Sequence, residues 1–169
     1  MKNLLLLASA LYSFMVHAQN DLPNREAFTL KLAVNNEQFY EENIDKTPYF
    51  VTDKVLQIFP GEKLFIETVI KADTIASMKV VKEIKFPERT ITLDFKQETD
   101  GNTHRRMQLE VENPFDQHLS YSANMFIVGR NEWVYTSIIP VFPKISGIEM
   151  WNNVIISLAL YDWHFEKHK

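Results

Sequence analysis

The chain of 169 residues contains no cysteine. It therefore cannot form a disulfide, offer a thiol nucleophile or carry the lipid thioether of a bacterial lipoprotein. Small secreted domains without a sufficient core depend on disulfides, so this absence excludes a disulfide scaffold. The chain must be held together by its hydrophobic core, and a domain of about 150 residues buries enough of its surface to allow this.

Glycine is also scarce, with four residues in the whole chain. The sequence has no glycine-rich loop that would cradle a phosphate, no Gly-x-Ser-x-Gly nucleophile elbow and no His-Glu-x-x-His zinc motif. These absences argue against a nucleotide enzyme and against common hydrolase families. The sequence predicts a protein that is not an enzyme and that has no cofactor.

Basic charge is not in excess either. Lys and Arg together number 18 against 22 Asp and Glu, which gives a formal net charge of −4. Nucleic acids and anionic membranes attract proteins with basic patches. The charge balance therefore predicts that the partner is not a nucleic acid.

The N-terminal residues have the pattern of a secretory signal peptide. Lys2 gives a positive start, residues 4–16 form an apolar stretch, and Val16-His17-Ala18 offers small residues at a cleavage site. A membrane-spanning helix needs about 20 apolar residues, so this stretch is too short for one. We expect residues 1–18 to be cleaved and residues 19–169 to form one domain in the periplasm or outside the cell. The missing disulfides favour a bacterial source.

Alternating apolar and polar residues mark several strands. Residues 28–34 alternate cleanly, and so do the residues on either side of the Asp100-Gly101-Asn102 turn, which predicts a hairpin. Pro60-Gly61 marks another turn, and residues 72–86 are read as a strand from Met78 onward. The longest apolar stripe consists of Leu119, Tyr121, Ala123, Met125 and Ile127.

Other segments have less regular patterns. Residues 19–26 are polar and predict a short flexible lead-in, and residues 35–48 predict a loop or a short helical turn. Residues 133–141 and 154–165 are apolar on both faces, which predicts central strands or strands covered on each side, for example by the N-terminal segment or the 35–50 loop. Residues 143–153 between them are expected to form a loop.

These strands, with no convincing amphipathic helix, predict an all-β fold. Tight turns mix with longer connections, and this mixture suits Greek-key crossovers. We therefore expect an immunoglobulin-like or fibronectin-like β-sandwich of about seven to nine strands. A small lipocalin-like barrel is the alternative fold.

Two sets of polar residues have the composition of possible sites. His164, Glu166 and His168 are spaced to share one face of a strand, as metal ligands would, but the pattern favours a solvated tail, and no metal site is predicted. The acidic residues Glu41, Glu42 and Asp45 form a local cluster, yet glycosidase chemistry needs two carboxyl groups in one cleft. Nothing in the sequence pairs them.

The aromatic residues give one candidate for ligand binding. Trp133 and Tyr135 share a face with Ile139, and Tyr161 and Trp163 share a face with Phe165; both groups are expected in the core. A further tryptophan, Trp151, is expected near the surface because it lies in the predicted 143–153 loop. Trp151 is therefore the single candidate ligand-binding residue.

The functional expectation is a non-catalytic, exported binding or accessory protein of the bacterial envelope or secretome. Its partner would be an envelope or secreted protein, or a glycan. The alternatives are a carbohydrate-binding module and a lipocalin-like carrier of a small apolar ligand. The signal peptide, the predicted all-β fold and the missing catalytic motifs together favour the first of these.

Overall fold

The computed structural model describes residues 20–130 and 132–166, which form a β-sandwich. The strands are β1 (Asn24–Arg25), β2 (Phe28–Ala33), β3 (Phe39–Ile44), β4 (Thr47–Pro48), β5 (Phe50–Thr52), β6 (Val55–Ile58), β7 (Lys63–Lys71), β8 (Thr74–Val81), β9 (Thr90–Asp100), β10 (Thr103–Glu112), β11 (Leu119–Ile127), β12 (Trp133–Thr136), β13 (Ser146–Trp151) and β14 (Ile155–Phe165). A 3₁₀ turn at Pro87–Arg89 precedes β9.

Ten of these strands form two five-stranded sheets that pack together. Sheet I has the order β13-β10-β9-β7-β8, and sheet II has the order β12-β11-β14-β6-β5. The predicted all-β sandwich is confirmed, with slightly more strands than the seven to nine expected. The barrel alternative is wrong, since no closed barrel is found in the part of the chain that the structure describes.

The predicted hairpin consists of β9 and β10. Leu109 lies opposite Phe95 and Val111 lies opposite Leu93, so that their apolar side chains point to the same face. All five residues of the apolar stripe on β11 are buried as well. Side chains of both sheets therefore fill the interior between them.

The β2–β3 hairpin adds a second, smaller core outside sheet II. Leu30 and Leu32 of this hairpin pack with Phe59 and with Ile156 of β14. β14 is the central strand of sheet II and is covered on its outer face, which explains why its sequence is apolar on both faces. The prediction that residues 154–165 form a central or covered strand is confirmed. The prediction of a loop or a short helical turn at residues 35–48 is wrong, because this segment contains β3 and β4.

The residues expected to be a flexible lead-in are hydrogen-bonded to sheet I from position 20 onward. The backbone N–H of Leu22 donates to the carbonyl of Val80 at 2.8 Å, and that of Lys82 donates to the carbonyl of Asn20 at 2.8 Å. Asp21 forms an isolated antiparallel bridge with Val81. The N-terminal segment therefore covers part of the outer edge of β8.

None of the residues that the structure describes belongs to a helix of the length and hydrophobicity needed to cross a membrane. The predicted signal peptide, residues 1–18, lies outside the described residues.

Candidate interaction surface

The segment from β12 to β13 exposes an unusual number of apolar side chains. Seven large apolar residues in it are between 45% and 72% exposed: Trp133, Tyr135, Ile139, Phe142, Ile145, Ile148 and Met150. Six others in the described chain are scattered between positions 39 and 86 and are at most 49% exposed. Single exposed apolar residues are ordinary, whereas a contiguous patch of them marks an interaction surface. Trp133 and Tyr135 belong to one sheet, and Ile148 and Met150 belong to the other, so the segment offers two candidate surfaces.

This segment crosses from one sheet to the other. β12 is the edge strand of sheet II, and β13 is the edge strand of sheet I. Between them, Val141 and Leu119 exchange two backbone hydrogen bonds of 2.9 Å, which tie the connection to β11. At the far end, the Trp151 indole Nε1 donates to Thr136 Oγ1 at 3.0 Å. The exposed residues are thus attached to both sheets.

A buried asparagine, Asn113, fixes the middle of the crossing. Its Nδ2 donates to the carbonyl oxygens of Gln117, Val141 and Phe142 at 2.8, 2.9 and 3.1 Å. Its Oδ1 accepts a hydrogen bond from the Phe115 backbone N–H at 2.9 Å. The side chain is almost fully enclosed, so this network sets the position of the connection that carries Ile139, Phe142 and Ile145.

Close packing fixes the start of β13. A Cβ atom on Gly147 would lie 2.8 Å from Cγ2 of Val141, which is inside contact distance. Glycine is therefore required here by the approach of the crossing segment, and the residue does not mark a loop. Glu149 of the same strand accepts a hydrogen bond of 2.9 Å from the Ile139 backbone N–H.

Trp133 and Tyr135 lie on the outer face of sheet II, contrary to the prediction that they are in the core. They are 45% and 64% exposed, while Val134 between them packs against the core. The prediction of a central strand is also wrong, because β12 is a four-residue edge strand. The β2–β3 hairpin covers Phe126 in this face, but not the neighbouring edge strand.

A row of uncharged residues lies beside Tyr135, while Trp133 lies opposite Phe126. Tyr135 lies opposite Asn124, which lies opposite Ala159 of β14. The Tyr161 hydroxyl donates to Asn124 Oδ1 at 3.2 Å, which leaves the Asn124 Nδ2 donors without a bond to any described residue. We call Trp133, Tyr135, Asn124 and Tyr161 the aromatic face.

Tyr161, Trp163 and Phe165 were expected together in the core, but their side chains lie on two different faces of sheet II. Trp163 is buried and stacks on Tyr121 with ring centroids 4.7 Å apart, as predicted for a core residue, and burial raises the pKa of the Tyr121 hydroxyl. Tyr161 instead lies on the outer face, because Asp162 has a positive φ of 55° and the register with β11 shifts there. A bulge of this kind moves alternate side chains to opposite faces.

Trp151 is the last residue of β13, so the prediction that it lies in a loop is wrong. It lies opposite Met107 of β10, and its half-buried ring packs against the main core. Its role in ligand binding stays a prediction.

Trp133 and Tyr135 are the exposed residues that the sequence pattern did not predict. Pro140 was the available signal, since proline within an apolar run indicates an edge strand.

The two sets of polar residues do not form a site in the described part of the chain. His164 Nδ1 contacts the carbonyl of Asp162 at 2.7 Å, Glu166 accepts from Ser120 at 3.0 Å, and His168 lies outside the described residues. Glu41 pairs with Lys31 at 3.7 Å, and Glu42 accepts a hydrogen bond from Tyr40. Within residues 20–130 and 132–166, no three acidic or histidine side chains form a group that would hold a metal ion.

Comparison with family models, curated proteins and solved structures gives no match for this chain.

Proposed function

We propose that the protein is an exported, non-catalytic binding or accessory protein of a bacterial envelope or secreted system, and that it binds through the aromatic face. The observation that carries the proposal is the exposure of Trp133 and Tyr135 on a rigidly supported strand. Aromatic residues are enriched where proteins bind their partners, and a surface held in place before binding loses less entropy on association. The signal-peptide pattern of residues 1–18 supports the exported location.

The rigid support comes from several directions. The Trp133 ring packs on Phe126 with centroids 5.2 Å apart, and β12 is tied to β13 through the hydrogen bond between Thr136 and Trp151. A binding face built on strands holds its side chains more precisely than one built on a free loop. The mixed connections between strands support an immunoglobulin-like or fibronectin-like topology as part of the same proposal.

Three experiments test this proposal. Expression of the full chain in a bacterium, followed by intact-mass analysis of the periplasmic fraction, should give a protein that begins at Gln19; a full-length cytoplasmic product would contradict export. A photo-crosslinking amino acid at Tyr135 should capture a defined partner in the envelope, while the same probe at the exposed position Ile84 should not. Hydrolysis of a glycan or peptide panel that a single carboxylate substitution abolishes would replace the binding proposal with an enzymatic one.

A glycan is the second candidate for the ligand of the aromatic face. Its specific support is that the row from Tyr135 through Asn124 and Ala159 to Gln57 carries no charge, while the Asn124 amide can donate hydrogen bonds. Sugar rings present apolar C–H faces and hydroxyl groups, and aromatic rings with a polar group beside them suit both. No observation favours the lipocalin-like carrier, since side chains fill the space between the sheets.

Glycan-array binding tests this second candidate. Trp133→Ala and Tyr135→Ala should each abolish a signal that the unchanged protein gives. Phe39→Ala is the matched control, because Phe39 is similarly exposed but lies on the β2–β3 hairpin. Trp151→Ala tests the residue expected from the sequence. The absence of any glycan signal, or equal binding by the Trp133 and Phe39 variants, would leave a protein partner as the ligand.

A further inference from the structure

The outer edge of β13 has no partner strand among the described residues. Its register with β10 continues to Asn113, whose backbone N–H donates to the carbonyl of Ile145 at 3.0 Å. In an antiparallel ladder, alternate residues point their backbone groups toward opposite sides. The N–H and C=O groups of Ser146, Ile148 and Met150 therefore point away from β10. We call these three residues the open edge.

The other three edges of the sandwich are protected. Asn20 and Leu22 bond to the edge of β8, which also carries Lys79. β5 has three residues, and β12 has four and is followed by Pro140. Short strands, covering segments, lysine and proline are the usual means by which proteins prevent association through sheet edges.

β13 is not short, is not covered by any described residue and has no lysine or proline. Its one charged residue, Glu149, lies opposite the buried Leu109 and accepts a hydrogen bond of 2.9 Å from the Ile139 backbone N–H. The strand has six residues and pairs with β10 without a register shift. The side chains of Ile148 and Met150 are both more than half exposed on the same face. A long, regular and apolar edge of this kind is suited to pairing with another strand.

We propose that the strand pairing with β13 is β13 of a second copy of this chain. A two-fold axis through Ile148 would place Ile148 opposite its own counterpart and Met150 opposite the partner's Ser146. Glu149 would lie opposite the partner's Gly147, so that no like charges face each other across the pair. The sequence of β13 is thus compatible with its own antiparallel copy, which is the condition for a closed two-fold dimer.

The neighbouring apolar residues extend this interface. Ile139, Phe142 and Ile145 flank β13 and are all more than half exposed. At roughly 100 Å² for each half-exposed large side chain, these three with Ile148 and Met150 expose about 500 Å² of surface beside the open edge. This is more than half of the roughly 800 Å² that each partner buries in a standard interface, before the paired backbone is counted. The dimer would contain a continuous ten-stranded sheet, and the aromatic face on sheet II would remain free.

The mass of the purified protein in solution tests the dimer. Light scattering during gel filtration at up to about 100 μM, well above a micromolar Kd, should give twice the monomer mass. Ile148→Lys and Ile148→Glu should each give a monomer, because like charges would meet at the two-fold axis, and an equimolar mixture of the two should restore the dimer. Ile84→Lys is the control and should remain dimeric, since Ile84 is exposed away from β13.

A cysteine test fixes the register, because the natural chain has no cysteine to interfere. Ile148→Cys should form an intermolecular disulfide under mild oxidation. Ser146→Cys should not do so alone, but should do so when mixed with Met150→Cys. A monomeric mass at every concentration would overturn the proposal, and so would a dimer that survives both charge substitutions or a disulfide in Ser146→Cys alone. Circular dichroism of each variant verifies that a monomeric result comes from a folded protein.

Discussion

The indole nitrogen of Trp151 donates a hydrogen bond of 3.0 Å to the hydroxyl oxygen of Thr136. Trp151 ends the edge strand of sheet I, and Thr136 ends the edge strand of sheet II. One hydrogen bond between side chains therefore connects the two edges between which the apolar segment runs. Both side chains are half-buried, so the bond is partly shielded from water.

Thr136→Val should lower the free energy of unfolding by about 1 kcal/mol, because valine keeps the shape of threonine and removes the acceptor of the Trp151 hydrogen bond. Urea denaturation measures the change. Thr29→Val is the matched control, since Thr29 donates to Asn43 at an exposed site and its loss should cost only a few tenths of that amount. Equal losses in both variants would show that the bond between the sheets contributes no more than an exposed hydrogen bond.

Asn113→Asp should destabilise the protein by about 3 kcal/mol. The substitution removes the amide donors and places a negative charge against the carbonyl oxygens of Val141 and Phe142 in a buried site. Asn102→Asp makes the same chemical change in the exposed turn between β9 and β10, where we expect almost no effect. Thermal or urea midpoints compare the two, and similar midpoints would contradict the supporting role of Asn113.

Arg25→Lys should cost about 2 kcal/mol, although it conserves the charge. The buried guanidinium donates to Glu62 at 2.9 Å and to the carbonyl of Gln57 at 2.6 Å, and it lies between the rings of Tyr49 and Phe59. An ammonium group cannot make this planar set of contacts. Arg106→Lys is the control, because Arg106 bonds to Glu98 at a half-exposed site. A larger loss in the control would contradict the argument.

Burial, the hydrogen bond to Glu42 and the charge of Glu42 together raise the pKa of Tyr40 to about 12 from 10.0. Between these two pH values the folded protein keeps a proton that the unfolded chain loses. The contribution of Tyr40 to stability is therefore complete below pH 10.0 and is lost as the pH rises toward about 12.

A tyrosinate absorbance titration, taken as the difference from Tyr40→Phe, measures this pKa. Glu42→Gln should lower the pKa of Tyr40 because it removes the negative charge beside the hydroxyl. Glu41→Gln should leave it unchanged, since Glu41 pairs with Lys31. A Tyr40 that titrates near 10.0 in the unchanged protein would contradict the prediction.

The alternation of apolar and polar residues predicted those strands that have one buried face and one exposed face. The residues around Phe95 and Leu109 alternate between apolar and polar, and both side chains are fully buried in the hairpin. Pro60-Gly61 also turns the chain as expected, with Gly61 at a φ of 94°. In these segments the burial of one face determines both the sequence and the register, so alternation is sufficient evidence.

Contacts between distant parts of the chain determined the elements that the sequence pattern did not predict. Gly147 and Asn152-Asn153 suggested a loop, yet residues 146–151 form a strand because β10 pairs with them and Val141 requires a glycine at position 147. The acidic segment around Glu41 is a strand because it pairs with β2. Trp133 and Tyr135 were expected inside because apolar residues usually are. Pro140 is the one local indication of an edge strand, because the exposure of these two residues depends on which strands have neighbours.

The pairing of β6 with β14 also has a consequence for the order in which the protein folds. Gln57 and Ser157 are 100 positions apart and share a hydrogen bond of 3.1 Å, so the centre of sheet II cannot form until β14 has been made. Contacts between such distant parts of a chain slow folding. A protein that is exported as an unfolded chain must not fold before it has crossed the membrane. For the exported protein that we propose, slow folding is therefore useful, because sheet II stays incomplete until β14 is present to pair with β6.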